Sequence, residues 1–449
     1  AASSDYPLRD VYKRQVLGLD GLPLTLARDL AATGRLPHLA ALCQSPLARD
    51  IDAELPELSP VNWTSFATAA GPGEHGIFAF TEIDPVTYAL AMVDATAVAC
   101  PTIFDRLGGR GLTSKVINLP AAYPARPLRG ALVAGFVAPL LARAAYPPEL
   151  AELLASSGYL IEADTTRGAA DPDYLIAQLA ATLKSRETAL DLLFSGHDFD
   201  LFVFVLTETD RILHFFYPAL ADPGHPLFGP FLDLLAGWDR LIGKYLDMYD
   251  ALPEPKRLMV LADHGFAELR TEIDLNVWLA QHGLLSLTDH PAHEWDSRMA
   301  AHGSAAFALD PGRIYLHAKE RFARGVLHEH AARDLRERLR HDLMELTFEG
   351  EPVMEAVHRA EDIYDGPMLR RAPDLVCVAR PGFSLTGKFD RTALFGRFGR
   401  FGCHAAHGGL FYDSSGAAPA RLRDAGREIL NFFGVTPSDD PPAWTLKKT

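Results

Sequence analysis

Cysteine is scarce in this chain: Cys43, Cys100, Cys377 and Cys403 are the only four in 449 residues, and none belongs to a Cys-x-x-Cys pair. Four scattered thiols make no disulfide framework, so the sequence predicts a reducing, cytoplasmic setting. No apolar run approaches the ~18 residues that a membrane-spanning helix needs. Positive charge is also in deficit, with 43 Lys and Arg against 58 Asp and Glu and a formal charge of −15. That balance excludes general binding of nucleic acid or anionic membranes, which depends on clustered cations. It leaves a phosphorylated partner open, because bound divalent ions reverse the sign of a pocket locally. No repeat period or low-complexity linker divides the chain, and a hydrophobic content of 48% excludes wholesale disorder. The first 15 residues are charged throughout, carry no apolar segment of the signal-peptide kind and lack an initiating Met. They are expected to be a non-native or disordered leader, with a single domain over 16–436 and a C-terminal tail over 437–449.

Short apolar runs alternate with longer amphipathic ones. Val16 to Leu19 reads as a buried strand, followed by Asp20-Gly21 and a helix from Pro23 to about Ala32. Ser114 to Ile117, Ala131 to Ala134, Arg257 to Ala262 and Asp374 to Val378 read as further strands. Asp200 to Leu206 is the strongest, being apolar on both faces. Helical patterns occupy about 147–156, 171–196, 229–250, 330–346 and 418–433, and a Pro/Gly-rich patch at 219–230 reads as a loop inside the domain. Strand and helix in alternation predict an α/β fold: a three-layer α/β/α sandwich around a largely parallel sheet.

Metal-capable side chains stand directly after the apolar strands. Asp20 follows the first; Asp210 follows the strand at 200–206, with His214 four residues on; Asp263 and His264 follow the strand at 257–262. Open α/β sheets bind ligands at the carboxyl ends of their strands, so these points are expected to converge. Carboxylate with imidazole is the donor set of zinc and its first-row neighbours. Any one such Asp is more often a helix N-cap than a ligand. Three strand-end aspartates, two of them with a nearby His, favour a bound metal. Ser59-Pro60 then marks a helix start, with Ser at the N-cap, Pro at the first helical position and Val61 to Ala70 as the helix. Simple capping explains Ser59. The same position also places a hydroxyl in the positive field of a helix N-terminus, where a phosphoryl group binds well.

Taken in order, these segments resemble the alkaline phosphatase superfamily, and within it the type I phosphodiesterase/nucleotide pyrophosphatase-like branch. The resemblance takes in Gly18-Leu19-Asp20-Gly21, Gly34 to Leu39, Ser59-Pro60 through His75-Gly76-Ile77, Val116 to Pro120, Thr207 to His214, Ala262 to Phe266 and His404. It implies a single catalytic domain and a metal-dependent phosphohydrolase, most of all a phosphodiesterase. Its cofactors would be two divalent ions, zinc first and manganese second, and its partner a small phosphorylated substrate. By the resemblance, Asp20, Ser59, Asp263 and His264 hold one metal, with Ser59 as the covalent nucleophile that passes through a phosphoseryl intermediate. Asp210, His214 and His404 hold the other; His407 is the rival of His404 and is taken, with Asn62 and Phe80, as a flanking residue. N–H groups at the start of the 61–70 helix would meet the charge on phosphorus.

Three departures bear on substrate. The branch's nucleotide pyrophosphatases usually carry an Asn shortly after His-Gly-Ile; here the stretch is Phe78-Ala79-Phe80, which puts a nucleotide diester in question. Thr68-Ala69 replaces a common Thr-Gly, a change expected to touch only helix packing. Phe78, Phe80, Phe215, Phe216 and Tyr217 are read as core aromatics, with an apolar leaving-group pocket as the alternative. A sulfatase is disfavoured, because Pro60 directly follows Ser59 and Trp63 stands at +4. A phosphomonoesterase or phosphomutase remains the alternative, and needs phosphate-binding cations; Arg167, Arg186 and Arg211 are candidates, each read first as a surface ion pair. A catalytically silent homologue that binds metal or a phosphorylated ligand is the third reading.

Overall fold

A computed structural model describes residues 13–436. The leader expected over 1–15 falls outside the described residues up to position 12, and the tail over 437–449 falls outside them altogether. The first strand begins at Lys13, three residues before the sequence boundary, and Lys13, Arg14 and Gln15 are buried in it. Arg14 is tolerated there because its guanidinium meets Asp413 at 2.7 Å with both side chains fully buried.

Eight strands form the central sheet, in the order Arg49–Ile51, Gly409–Asp413, Lys256–Leu261, Lys13–Leu19, Leu201–Leu206, Ser114–Leu119, Gly130–Ala134, Ala145–Tyr146. The middle five are parallel; Gly409–Asp413 on one side and Ala145–Tyr146 on the other pair antiparallel with their inner neighbours. Period-two burial on both faces explains the apolar runs. Phe202, Phe204 and Leu206 enter one core with the helices Leu24–Ala32, Pro172–Phe194 and Phe228–Asp250; Leu201, Val203 and Val205 enter the opposite one with Ser59–Thr68 and Leu422–Phe432. The three-layer sandwich is the observed architecture.

Two expectations need correcting. The run near 374–378 forms Leu375–Ala379, but it lies outside the central sheet. It pairs antiparallel with Arg313–Leu316 and Met354–Arg359 in a separate four-stranded sheet with its own core. A strand with no crossover helix back to the central sheet pairs instead with antiparallel neighbours. The patch at 219–230 is loop only over 222–227: one helix runs Glu208–Ala221 and the next Phe228–Asp250, with Pro218 inside the first and a kink at Phe216 (φ −140°, ψ 35°). Among the described residues no helix is long and apolar enough to cross a membrane.

The Ser59 helix spans Ser59–Thr68 and stops because Ala69 adopts a left-handed conformation, φ 54°, ψ 29°. The Thr-Ala departure therefore acts on the backbone as well as on packing. A Cβ in this region costs ~1–2 kcal/mol, more than the ~0.8 kcal/mol from burying one methyl. Ala69→Gly is expected to raise the melting temperature by about 1 °C in calorimetry. A fall would mean that the methyl's packing dominates.

Candidate active site

The carboxyl ends of the parallel strands bring the strand-end residues together. Asp20 leaves the first strand with its N–H on Leu206 O, and the Thr209 hydroxyl donates to Asp20 O at 2.6 Å. Gly21 makes the next turn with φ +65°; a Cβ there would stand 3.2 Å from Asp210 Cβ and 3.2 Å from His264 Cε1. Only glycine lets the backbone pass this close, and its N–H donates to Asp263 Oδ1 at 3.1 Å. The Trp63 indole donates to Asp20 Oδ2 at 3.3 Å. Asp20, Asp210 and Asp263 are all buried, and each keeps one oxygen without a hydrogen-bond partner: Asp20 Oδ1, Asp210 Oδ1 and Asp263 Oδ2.

The imidazoles close the cluster. His264 Nε2 lies 3.4 Å from Asp263 Oδ2 and 3.9 Å from both Asp20 Oδ1 and Asp210 Oδ1. Asp210 Oδ1 is 3.4 Å from His214 Nε2 and 3.3 Å from His404 Nε2, and those two nitrogens are 3.0 Å apart. His404 Nδ1 meets Glu57 O at 2.7 Å and His264 Nδ1 meets Gly265 O at 3.0 Å. Each Nδ1 must donate to its carbonyl, which leaves both Nε2 lone pairs aimed inward. Burial, with His264 alongside, pushes His404 down to about 3, and burial lowers His214. Neutral imidazole is the form that binds metal.

The carboxylates diverge. Burial, then the charges of Asp263 and Asp210, push Asp20 well above the usual carboxylate range. Burial acts the same way on Asp210, but His214, His404 and Arg211 outweigh it and hold Asp210 low. Two groupings have ligand atoms within 4.8 Å of one another, Asp20–Asp263–His264 and Asp210–His264–His404. His264 is thus shared, where the resemblance assigned it to one metal, and His214 adjoins the second grouping. Orphaned buried oxygens, neutral inward nitrogens and a mixed Asp/His donor set fit divalent cations.

Ser59 stands over this cluster, its Oγ 3.3 Å from His264 Nε2. It is the first residue of its helix, not the cap: Leu58 is the N-cap and no side chain caps the helix. Capping therefore does not explain the hydroxyl. Asn62 makes no bond toward the cluster; its amide holds Glu54 N, Glu54 O and Leu58 O, pinning the turn before Ser59. His75, within the resembling stretch, is buried, pushed down to about 3 mainly by burial, and bonded to Ser65 and Ile77. It is structural.

His407 faces away from the cluster, bridging Asp52 Oδ1 at 2.7 Å and Glu355 Oε1 at 3.0 Å with its side chain 56% exposed. Burial lowers its pKa, but the two carboxylates outweigh that and raise it. The pairing is fully present below the ordinary His value of ~6.5 and is lost as pH rises through the higher folded value. His407→Gln is expected to reduce kcat/KM less than threefold and to remove a small stability increment at pH 6 that is absent at pH 9. A loss like that of a cluster residue would return His407 to the site.

The three arginines divide. Arg167 is a surface partner of Asp171, as expected. Arg186, expected on the surface, is fully buried and donates to Tyr159 Oη at 2.7 Å, Leu160 O at 2.7 Å and Ile161 O. Inward on a helix packed against the sheet, it ties down the 159–161 segment. Arg211 is also not a surface pair: 13% exposed, it bonds Asp210 Oδ2 at 2.8 Å, forks onto Glu162 at 3.2 Å and lies 4.3 Å over the Phe136 ring. Burial lowers its pKa, but Glu162 and Asp210 more than compensate. Of the five aromatics, Phe80 and Phe215 line a cavity of about 490 Å³ together with Ser59, Asp210, Arg211, His214 and His404. Phe78 packs on Tyr364, Phe216 on Phe231 and Tyr217 on Phe266. Sequence reading missed Trp63, Thr209, Glu57, Glu162 and Phe136; only Trp63, one turn after Ser59, carried a signal.

The profile of type I phosphodiesterase / nucleotide pyrophosphatase matches residues 15–410. No curated protein matches the sequence significantly. Among solved structures, phosphonoacetate hydrolase from Sinorhizobium meliloti 1021, in complex with phosphonoformate, is similar with a TM-score of 0.63 and 16% identity, covering 94% of this chain and 96% of its own. Murine ectonucleotide pyrophosphatase / phosphodiesterase 5 gives 0.53 and 16%, covering 94% and 95%. A mutant of alkaline phosphatase PafA gives 0.56 and 13%, covering 95% and 96%. At these identities the likeness shows a shared alkaline phosphatase-like fold. The profile spans most of the chain and includes every cluster residue, so this chain belongs to the type I phosphodiesterase / nucleotide pyrophosphatase family, a family of phosphoester hydrolases.

Proposed function

We propose that the chain is a two-metal phosphodiesterase in which Ser59 is the nucleophile. The observation that carries this is the position of Ser59 Oγ, 3.3 Å from His264 Nε2 above three buried carboxylates that each keep an unpartnered oxygen. Asp20, Asp263 and His264 with Ser59 would hold one divalent ion; Asp210, His214 and His404 would hold the other, zinc before manganese. Such ions supply Lewis acidity and lower the pKa of a bound hydroxyl or water. The protein's own part is positional. Ser59 Oγ forms a bond to phosphorus, the bond to the leaving oxygen breaks opposite it, and water then cleaves the phosphoseryl ester to regenerate Ser59. The first turn of the Ser59 helix directs backbone N–H groups and its dipole toward the equatorial oxygens. Arg211 holds Asp210 through Oδ2 and so keeps Oδ1 turned inward.

Arg211 also favours the second reading, a monoesterase or mutase, since a guanidinium on the cavity wall suits a dianion. Glu162 and Asp210 already match that charge, which leaves the diester ahead. A panel of aryl phosphodiesters and monoesters, assayed with Zn²⁺ or Mn²⁺ supplied, decides. The expected result is at least tenfold higher kcat/KM for the diesters. The reverse order establishes the monoesterase, and no turnover of either class establishes the silent homologue.

A further inference from the structure

We infer that Glu162 sets the ester class of this site: its carboxylate cancels the charge of Arg211 and opposes a second negative charge on the phosphoryl group. A diester monoanion is then taken ahead of a monoester dianion. The inference rests on the phosphohydrolase reading and adds the residue that selects among its substrates. Glu162 and Arg211 both line the cavity that holds Ser59, Asp210, His214 and His404. The guanidinium forks onto Glu162, Nε to Oε1 and Nη2 to Oε2 at 3.2 Å each, and gives Nη1 to Asp210 Oδ2 at 2.8 Å. Three of its five N–H donors are used, and one face lies on the Phe136 ring. An unpaired guanidinium on this wall would suit a dianion, whose oxygens it can meet two at a time. Bound to Glu162, it presents a neutral pair instead. A divalent ion held by Asp210 would take up that carboxylate's charge, which leaves Glu162 as the counter-charge of Arg211.

The way Glu162 is held carries the independent observation. Residues 159–162 form no helix or strand of their own, yet the helix Pro172–Phe194 fastens them. Its fully buried Arg186 donates to Tyr159 Oη and Leu160 O at 2.7 Å each and to Ile161 O, and Ser185 Oγ accepts from Leu160 N at 3.0 Å. A guanidinium is costly to bury unless its donors are met, and here they are met by the three residues that lead into Glu162. Glu162 Oε1 also accepts from Ala163 N at 3.1 Å, which fixes the carboxylate against Arg211. An exposed ion pair is screened and mobile, so its charges count for little. This one is 13% and 21% exposed and fastened from behind, so its cancellation of charge persists when a substrate enters.

The test compares p-nitrophenyl phosphate with methyl p-nitrophenyl phosphate, which share a leaving group and differ by one methyl and one charge. Both are assayed at about pH 8, where the monoester is a dianion, with Zn²⁺ or Mn²⁺ supplied. A like charge a few ångströms away in a partly desolvated site changes anion binding by about tenfold or more. Glu162→Gln keeps the shape and removes the charge. It is expected to raise kcat/KM for the monoester at least tenfold and to change the diester less than threefold. Glu162→Asp, which keeps the charge, should hold the diester-to-monoester ratio within threefold of wild type; a shift like that of Glu162→Gln would count against the inference. An unchanged ratio in Glu162→Gln, or an equal loss for both esters, overturns it. The wild-type preference tests the diesterase reading, and the shift on substitution tests the inference whichever ester leads. If wild type turns over neither ester, the phosphohydrolase reading fails and calorimetry decides. Phenylphosphonate should bind Glu162→Gln at least tenfold tighter than wild type, and its monomethyl ester no tighter; equal changes for the two ligands overturn the inference.

Discussion

Ser59→Ala is expected to reduce kcat/KM on any substrate of this enzyme by a thousandfold or more while the melting temperature moves by less than about 1 °C. Both halves follow from where the hydroxyl sits. A nucleophile that forms a covalent intermediate has no substitute in alanine, so what remains is the catalysis that binding and electrostatics supply to direct attack by water. The fold should not notice, because the helix has Leu58 at its N-cap and no side-chain cap, and the hydroxyl's one hydrogen bond is with His264. Steady-state kinetics with calorimetry on the same preparation checks both. A variant that keeps a tenth of the wild-type rate would remove Ser59 from the mechanism and leave direct attack by water. Trapping gives a positive control, since wild type quenched during turnover should carry phosphate on Ser59.

Asp20→Asn should separate activity from stability in opposite directions. Three carboxylates are buried together, and the ionisation of Asp20 is opposed by burial first and then by the charges of Asp263 and Asp210. Without metal, removing that charge relieves repulsion, and Asn Oδ1 still accepts from the Trp63 indole. The variant is therefore expected to melt higher than wild type in chelator and lower than wild type in excess Zn²⁺ or Mn²⁺. A ligand that binds only the folded state at a thousand times its dissociation constant adds about 4 kcal/mol, and the variant forfeits much of that gain. Its kcat/KM should fall at least a hundredfold. A wild-type protein whose melting temperature ignores both chelator and added metal would defeat the two-metal reading.

The residues that mattered most were legible because of their addresses. An Asp directly after an apolar strand is a ligand candidate only if the strand is parallel and internal, and the runs at 16–19, 200–206 and 257–262 announced that by being apolar on both faces. Ser59 was legible as a helix start, but its role was not, because capping and nucleophilic placement share one local signature. The arginines misled for a related reason. Charge is normally solvated, and nothing in the order of residues says that Arg186 faces inward on its helix or that Arg211 stacks on Phe136. Phe78 and Phe80, two residues apart, went to different places, one into a core against Tyr364 and the other into the cavity. The strand near 374–378 was found correctly as a strand and assigned to the wrong sheet.

The division has one physical cause. Period, apolar length and turn chemistry are short-range properties, so the order of amino acids alone determined an α/β sandwich, a parallel core and the candidate ligands at the strand ends. Which lone pairs face inward, how Asp210 shares itself between Arg211 and the imidazoles, and what lines the cavity depend on residues far apart in the chain. His404 is 347 residues from the Glu57 carbonyl that sets its tautomer. Distances of that kind exist only after the layers have packed, and the chemistry of the site was decided there.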